Sequence, residues 1–135
     1  MVEMNVTYEG ELHCSAKHGP SGNLISTDAP KDNQGRGESF SPTDLVGAAL
    51  GTCMLTLIGI YAKRHNIEVK GATAHVTKEM VTAPIRRIGK LTLRIRLPGS
   101  VPVEQRAALE NAALTCPVSK SLHADLVVDA KFEYV

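Results

Sequence analysis

The chain has 135 residues, of which 15 are basic, 14 are acidic and 43% are hydrophobic. This length and composition fit one domain with its own core, so we expect a single domain over residues 1–135. With no Trp, few other aromatic residues and a net charge of +1, the chain lacks the stacking platforms and basic surface that nucleic acids require. The first residues lack the basic and apolar blocks of a signal peptide, so we expect a cytoplasmic protein.

The first forty residues predict three strands and a loop. Apolar and polar residues alternate over residues 2–8, which is typical of a strand with one buried face. We expect residues 12–17 to pair with it and, after a turn at residues 18–22, residues 24–27 to form a third strand. Residues 28–39 are polar and contain Gly, Asn and Pro, which predicts a surface loop long enough to carry function.

A long helix is predicted over residues 42–65. Ser41 is a suitable N-cap, Pro42 fits the first helical position and Asp44 can close a capping box. The apolar residues of this segment are not confined to one stripe, so we expect the helix to be buried on nearly all sides. Its apolar run, residues 45–61, is shorter than the roughly 20 residues of a membrane span, so no membrane partner is expected.

The rest of the chain adds strands and two shorter helices. The patterns predict strands over residues 69–80, 91–97 and 126–134, a helix over residues 103–114, and a short helix from Cys116 to about residue 122. This order predicts an α+β fold with a mostly antiparallel sheet around a long buried central helix. Because one small sheet covers only one side of such a helix, we expect a second copy of the chain to cover the other side.

The cysteine and histidine spacings exclude several kinds of site. Three cysteines are an odd number in a chain with no export signal, so a structural disulfide framework is not expected. No C-x-x-C pair occurs, and the five histidines show no metal-ligand spacing. We therefore expect neither a metal nor a cofactor. Cys14, on a predicted strand, is interpreted as structural.

The other two cysteines differ in local context. Cys53 lies within the buried helix, where cysteine commonly acts as a small hydrophobic residue and burial raises a thiol pKa. Cys116 precedes Pro117 at a helix start, where free amides and the helix dipole stabilise a thiolate. On local context alone, Cys116 is the more reactive thiol. For Cys53 to react, a cation must reach it from elsewhere, and the upstream loop offers Arg36 with Glu38.

Two cysteines in separate elements are compatible with a thiol peroxidase cycle. A thiolate attacks a peroxide oxygen and becomes a sulfenic acid, and a second thiol condenses with it to a disulfide that an external dithiol reduces. An arginine assists by lowering the thiol pKa and by stabilising the leaving alkoxide.

Two motifs, in this order, carry a resemblance to a known family. Residues 41–54 read SPTDLVGAALGTCM and residues 115–118 read TCPV. They resemble the central-helix motif and the second cysteine motif of the OsmC/Ohr family, which comprises organic hydroperoxide reductases and osmotically inducible relatives. The GRGE segment at residues 35–38 and the strand order are also similar. The resemblance covers nearly the whole chain and implies one OsmC-like domain that forms an intertwined α+β homodimer with active sites at the subunit interface.

The resemblance also implies a function. Cys53 would attack an organic hydroperoxide or hydrogen peroxide, Cys116 would resolve the sulfenic acid, and a lipoyl-type dithiol would act as reductant, in defence against oxidative or osmotic stress. This reverses the ranking from local context. The family's peroxidases place a glutamate, paired with an arginine, directly after the helix-start proline, where this chain has Thr43. Two alternatives therefore stay open: a non-enzymatic, redox-responsive dimer that binds a small apolar ligand, and a structural dimer with inert thiols.

Overall fold

The computed structural model describes all of residues 1–135 and contains six strands and three α-helices. The chain divides into two compact units, Met1–Val46 and Gly47–Val135. The elements are β1 (Met4–Gly10), β2 (His13–His18), β3 (Leu24–Asp28), α1 (Pro42–Arg64), β4 (Thr73–Val81), β5 (Arg87–Leu97), α2 (Val103–Leu114), α3 (Pro117–Ser121) and β6 (Val127–Tyr134). This order confirms the predicted α+β class.

The first unit contains an antiparallel sheet with the strand order β1-β2-β3. Val6 pairs with Ala16, and Ala16 pairs with Ile25, so these apolar side chains share one face. The three predicted strands are confirmed, with their ends shifted by one or two residues. The predicted loop follows β3 and contains one 3-10 turn, Lys31–Asn33.

The chain itself does not cover the apolar face of this sheet. Met4, Val6 and Tyr8 are 65%, 67% and 63% exposed. The prediction of one buried face over residues 2–8 is therefore wrong for the single chain. The alternation does place these side chains on a common face, but period-two alternation identifies a face without identifying what covers it.

Helix α1 begins at the predicted residue because its N-terminus is capped as the sequence indicates. The Asp44 N–H donates a hydrogen bond to Ser41 Oγ at 3.1 Å, and the Ser41 N–H donates one to Asp44 Oδ2 at 2.9 Å. This reciprocal pair is a capping box. Pro42 follows the cap at the first helical position, where its missing N–H leaves no helical hydrogen bond unmade.

The buried residues of α1 form one stripe rather than the whole helix surface. The stripe consists of Gly47, Leu50, Gly51, Met54, Ile58 and Ala62. It packs on the sheet of the second unit, since a Cβ atom on Gly51 would lie 3.0 Å from Val76 Cγ2. Burial on nearly all sides is therefore wrong for the single chain, because one three-stranded sheet contacts only one side of a helix. By length and apolar composition alone α1 is sufficient to cross a membrane, a test that core helices also pass.

The second unit contains the sheet β4-β5-β6, in which β4 pairs antiparallel and β6 pairs parallel with the central strand β5. The predicted alternation of β5 is confirmed: Leu91, Leu93, Ile95 and Leu97 are buried, whereas the arginines between them are exposed. Strand β4 begins four residues later than predicted, because the chain turns at Gly71, whose φ is +90°. Most of the strand pairing is antiparallel, as predicted.

Helices α2 and α3 connect β5 to β6, and this crossover permits their parallel pairing. Helix α2 has the predicted bounds, and its side chains Leu109 and Ala113 are fully buried. The short helix α3 begins directly after Cys116. The connection between these two helices therefore fixes the position of one of the candidate thiols.

Candidate functional site

Cys53 lies on α1 at the edge of the buried stripe. It follows the buried Leu50 by three residues and directly precedes the buried Met54, and its own side chain is half-buried. Thr52 and Thr56, on the adjacent face, donate their hydroxyl protons to carbonyls of the same helix at 3.0 and 2.8 Å. The local helix surface therefore leaves the thiol partly accessible.

Cys116 lies at the junction of α2 and α3, where it is the N-cap residue of α3. Its N–H donates a hydrogen bond to the Ala113 carbonyl at 3.2 Å, and its carbonyl accepts one from the Lys120 N–H at 3.1 Å. Backbone bonds to both helices thus fix the residue in place. Its relative exposure is 0%, so solvent does not reach the sulfur.

The fold brings these two cysteines together within the second unit. The side chain of Cys53 hydrogen-bonds that of Cys116. Both residues are free thiols, as is Cys14. The sequence placed Cys53 and Cys116 on separate elements and left open whether they meet, and in the structure their side chains lie within hydrogen-bonding reach.

Burial dominates the ionisation of Cys116. Desolvation raises the pKa of its thiol, and the hydrogen bond to Cys53 raises that pKa further. The amides of Ser119 and Val118, in the first turn of α3, lower it by a smaller amount. The amides at the helix start lower the pKa as expected, but loss of hydration outweighs them. Which of the two thiols is more reactive stays a prediction. No basic side chain is among the causes of the shift, whereas the neighbouring Cys53 adds a charge interaction that raises the pKa further.

Arg36 and Glu38 lie in the first unit, on the loop that follows β3. Arg36 Nη2 is 2.7 Å from Glu11 Oε2, in an ion pair whose two side chains are both exposed. The backbone N–H of Glu38 donates a hydrogen bond to Asp28 Oδ2 at 3.0 Å. The predicted part of Arg36 and Glu38 in thiol chemistry stays a prediction.

A polar pocket of about 370 Å³ adjoins this loop in the first unit. Its lining includes Glu9, Glu11, His13, Asp28, Arg36 and Glu38. Asp28 is only 6% exposed, and its Oδ1 accepts a hydrogen bond from His13 Nδ1 at 2.5 Å. That bond is the main reason that the pKa of Asp28 is lowered. No group of three or more His, Cys, Asp or Glu side chains in the chain is arranged to hold a metal ion.

The pairing of His13 with Asp28 was not predicted from the sequence. One signal was available, because an aspartate at the end of a strand and the start of a polar loop commonly binds backbone amides of that loop. Its partner could not be identified, since His13 is adjacent only through the β2–β3 register.

Comparison with known proteins identifies the family. The profile of the family described as OsmC-like protein matches residues 35–131. A solved structure from Psychrobacter arcticus 273-4, provisionally described as an osmotic stress induced and detoxification response protein, is similar at 45% identity. The alignment covers 98% of this chain and 96% of that one, with a TM-score of 0.92. A search of curated proteins finds no match.

Two more distant structures share the fold. An organic hydroperoxide resistance protein OsmC from Legionella pneumophila is 16% identical, with a TM-score of 0.75 over 100% of this chain and 97% of that one. The organic hydroperoxide resistance protein OhrB of Bacillus subtilis is 19% identical, with a TM-score of 0.68 over 98% of each chain. The family match over most of the chain and the 45% identical relative lead to one conclusion: the chain belongs to the OsmC-like protein family.

Proposed function

We propose that this protein is a thiol peroxidase that reduces organic hydroperoxides or hydrogen peroxide, with Cys53 as the attacking and Cys116 as the resolving residue. The observation that carries this proposal is the hydrogen bond between their side chains. Two free thiols within hydrogen-bonding reach need less movement to form a disulfide than two distant thiols do. Because the oxidised product is then a disulfide, an external dithiol can return the protein to its starting state.

The proposed cycle has three steps. The Cys53 thiolate attacks the terminal oxygen of the hydroperoxide, the O–O bond breaks, and the alkoxide leaves and takes up a proton to become an alcohol. The Cys116 thiol then attacks the sulfur of the Cys53 sulfenic acid, which forms the disulfide and releases water. A dithiol of the lipoyl type reduces the disulfide and becomes a cyclic disulfide itself.

Accessibility supports the division of roles. Cys53 is half-buried, so a peroxide can reach it, whereas Cys116 is fully buried. The raised pKa keeps Cys116 protonated and hence a poor nucleophile toward peroxide. It lies in contact with the one sulfur on which a sulfenic acid would form. Cys14 lies in the first unit and takes no part in the proposed cycle.

Two further parts of the proposal rest on sequence and exposure. Arg36, assisted by Glu38, is proposed as the cation that lowers the pKa of the attacking thiol, on the strength of the GRGE segment alone.

A homodimer is proposed because Met4, Val6 and Tyr8 form an uncovered apolar sheet face and α1 buries only one stripe. Two proteins with the same fold are named organic hydroperoxide resistance proteins, which supports a role in defence against peroxides. We propose the cytoplasm as the place of this role.

Turnover of cumene hydroperoxide with dihydrolipoamide tests the proposal. We expect the wild-type protein to turn over, Cys53→Ser to lose activity, and Cys116→Ser to turn over much more slowly, because its sulfenic acid has no resolving thiol in the chain. Cys14→Ser is the matched control and should retain full turnover. Equal turnover by Cys53→Ser and the wild-type protein would end the proposal.

One observation favours the non-enzymatic alternative. Thr43, where the family's peroxidases have a glutamate, forms part of the helix cap through its hydroxyl, which lies 3.2 Å from Ser41 Oγ. If no acidic group replaces that glutamate, the protein could bind a small apolar ligand and only respond to oxidation. Slow oxidation spread over all three cysteines would favour this alternative, whereas rapid oxidation confined to Cys53 and Cys116 favours the enzyme.

A further inference from the structure

We propose that Asp28 is the positioning residue of the loop that carries Arg36. This inference rests on the proposed function, because it assigns Asp28 a part in the same chemistry. Asp28 is the last residue of β3, and its carboxylate is almost completely buried. A buried carboxylate is retained only when hydrogen bonds replace its hydration, so its partners define what it holds in place.

The two oxygens of Asp28 bind two different parts of the first unit. Oδ1 accepts the hydrogen bond from His13 Nδ1 on β2, at 2.5 Å. Oδ2 accepts the hydrogen bond from the backbone N–H of Glu38, at 3.0 Å. The carboxylate therefore ties the far end of the loop to a strand of the sheet. Glu38 is two residues beyond Arg36, so this tie limits the positions available to the guanidinium.

Backbone hydrogen bonds join the residues on both sides of Arg36 to the start of the loop. The Gly35 N–H donates to the Pro30 carbonyl at 2.9 Å, and the Gly37 N–H donates to the Ala29 carbonyl at 3.2 Å. Gly35 also lies so close to the Ala29 carbonyl that a Cβ atom there would overlap it. Arg36 is thus held between two glycines that fold back on the start of the loop. Asp28 supplies the side-chain tie that completes this closure.

The ion pair with Glu11 cannot supply this order by itself. Both side chains are exposed, and an exposed ion pair typically contributes less than about 1 kcal/mol. A guanidinium that assists a reaction must be held close to its working position, because misplacement by a fraction of an ångström lowers the rate. The buried tie at Asp28 is the stronger restraint on the loop.

Hydrogen exchange and peroxide kinetics on the intact protein test the inference. We expect Asp28→Ala to lower the protection of the Glu38 amide by about tenfold or more. The same change should lower the second-order rate constant for Cys53 oxidation by cumene hydroperoxide about as much as Arg36→Ala does. In the double variant, Asp28→Ala should add nothing to the effect of Arg36→Ala. Unchanged protection of the Glu38 amide, or additive losses in the double variant, would overturn the inference.

Further variants separate positioning from general destabilisation. Asp28→Asn should recover most of the rate, because its oxygen can accept from the Glu38 N–H while its amide donates to the neutral His13 ring. If Asp28→Ala does not fold, His13→Ala tests the same tie. We expect it to lower the protection of the Glu38 amide and the rate constant by less than Asp28→Ala. Combined with Arg36→Ala, it should not lower the rate constant further. Ser15→Ala, on the same face of β2 as His13, changes a side chain that does not bind Asp28 and should change neither measurement.

The test also separates this inference from the proposed function. If Arg36→Ala leaves the rate constant unchanged, a positioning role for Asp28 is overturned, while disulfide formation between Cys53 and Cys116 can still stand. If Cys53→Ser retains turnover, the proposed function fails. In that case the Asp28 variants should not change the rate constant for Cys53 oxidation, even if they lower the protection of the Glu38 amide from hydrogen exchange.

Discussion

At Cys116, two features of the local structure act on the same sulfur in opposite directions. The first-turn amides of α3 lower the thiol pKa, whereas burial and the neighbouring Cys53 thiol raise it, and the pKa is raised overall. The amide effect is local and can be read from the sequence, because Pro117 marks the helix start. The burial effect depends on tertiary packing, so local sequence could not give the net direction of the pKa shift of Cys116.

The raised pKa predicts slow alkylation of Cys116. With iodoacetamide near pH 8, we expect Cys116 to react at least about tenfold more slowly than Cys14, because Cys116 is both buried and protonated there. Peptide mass spectrometry after timed quenching measures each site separately, and Cys14 serves as the internal half-buried control. Alkylation of both residues at the same rate would contradict the described burial.

The lowered pKa of Asp28 predicts how the stability of the protein changes with pH. Its pKa is lower in the folded protein than the value of about 3.9 expected for an unfolded chain, first because of the hydrogen bond from His13. The stabilising effect is therefore present above that unfolded value and is lost as the pH falls through the folded pKa.

We expect the free energy of unfolding of the wild-type protein to fall more steeply between about pH 5 and about pH 3 than that of Asp28→Asn. Urea unfolding at the two pH values measures this difference. Glu3→Gln, at an exposed carboxylate, should behave like the wild-type protein. An identical pH response of Asp28→Asn and the wild-type protein would be inconsistent with the His13–Asp28 bond.

At the scale of elements, capping and periodicity predicted where elements lie but not what they contact. The Ser41–Asp44 capping box fixed the start of α1, and the alternation of β5 identified its buried residues. The same methods could not give the direction of β6, since alternation is identical for parallel and antiparallel strands. Nor could they give the Cys53–Cys116 contact, which joins elements distant along the chain. The roles that the family resemblance implies for these two cysteines stay a prediction.

The packing of α1 on the second sheet predicts different outcomes for two glycines on the same stripe. Alanine has a higher helix propensity than glycine by about 1 kcal/mol. At Gly47 the new Cβ would make ordinary contact with Leu91 Cδ2 at 3.4 Å, so Gly47→Ala should gain stability. At Gly51 it would lie 3.0 Å from Val76 Cγ2, and overpacking should cancel the gain.

Urea unfolding should therefore place Gly51→Ala about 1 kcal/mol or more below Gly47→Ala in free energy of unfolding. The two variants control for each other, because both sites lie on the same face of α1 and on the same sheet. An equal gain in both variants would show that Val76 moves aside without cost.

At the scale of the whole molecule, the uncovered apolar residues need an explanation. Met4, Val6 and Tyr8 lie side by side on one face of the first sheet, together with Ile25 across the register. Contiguous exposed apolar patches in soluble proteins commonly mark interaction surfaces. The proposed homodimer accounts for this face, and the 45% identical relative shares the fold along nearly its whole length.

A charge on this face tests the proposed dimer. Val6→Lys should raise the dimer dissociation constant by about tenfold or more, because a buried unpaired ammonium is costly. Thr7→Lys places the same charge on the opposite face of β1 and should leave the dissociation constant unchanged. Analytical ultracentrifugation over a concentration series measures both variants. Equal dissociation constants for Val6→Lys and the wild-type protein would exclude this face from the interface.

The contact between Cys53 and Cys116 is tested most directly by the product of a single oxidation. The reduced protein is treated with one equivalent of cumene hydroperoxide per chain, quenched with an alkylating agent and mapped by peptide mass spectrometry. The proposed cycle predicts a Cys53–Cys116 disulfide in nearly every chain, one alcohol released per disulfide, and Cys14 recovered in its alkylated form. Accumulation of over-oxidised Cys53 beside an alkylated Cys116, or oxidation spread evenly over the three cysteines, would contradict it.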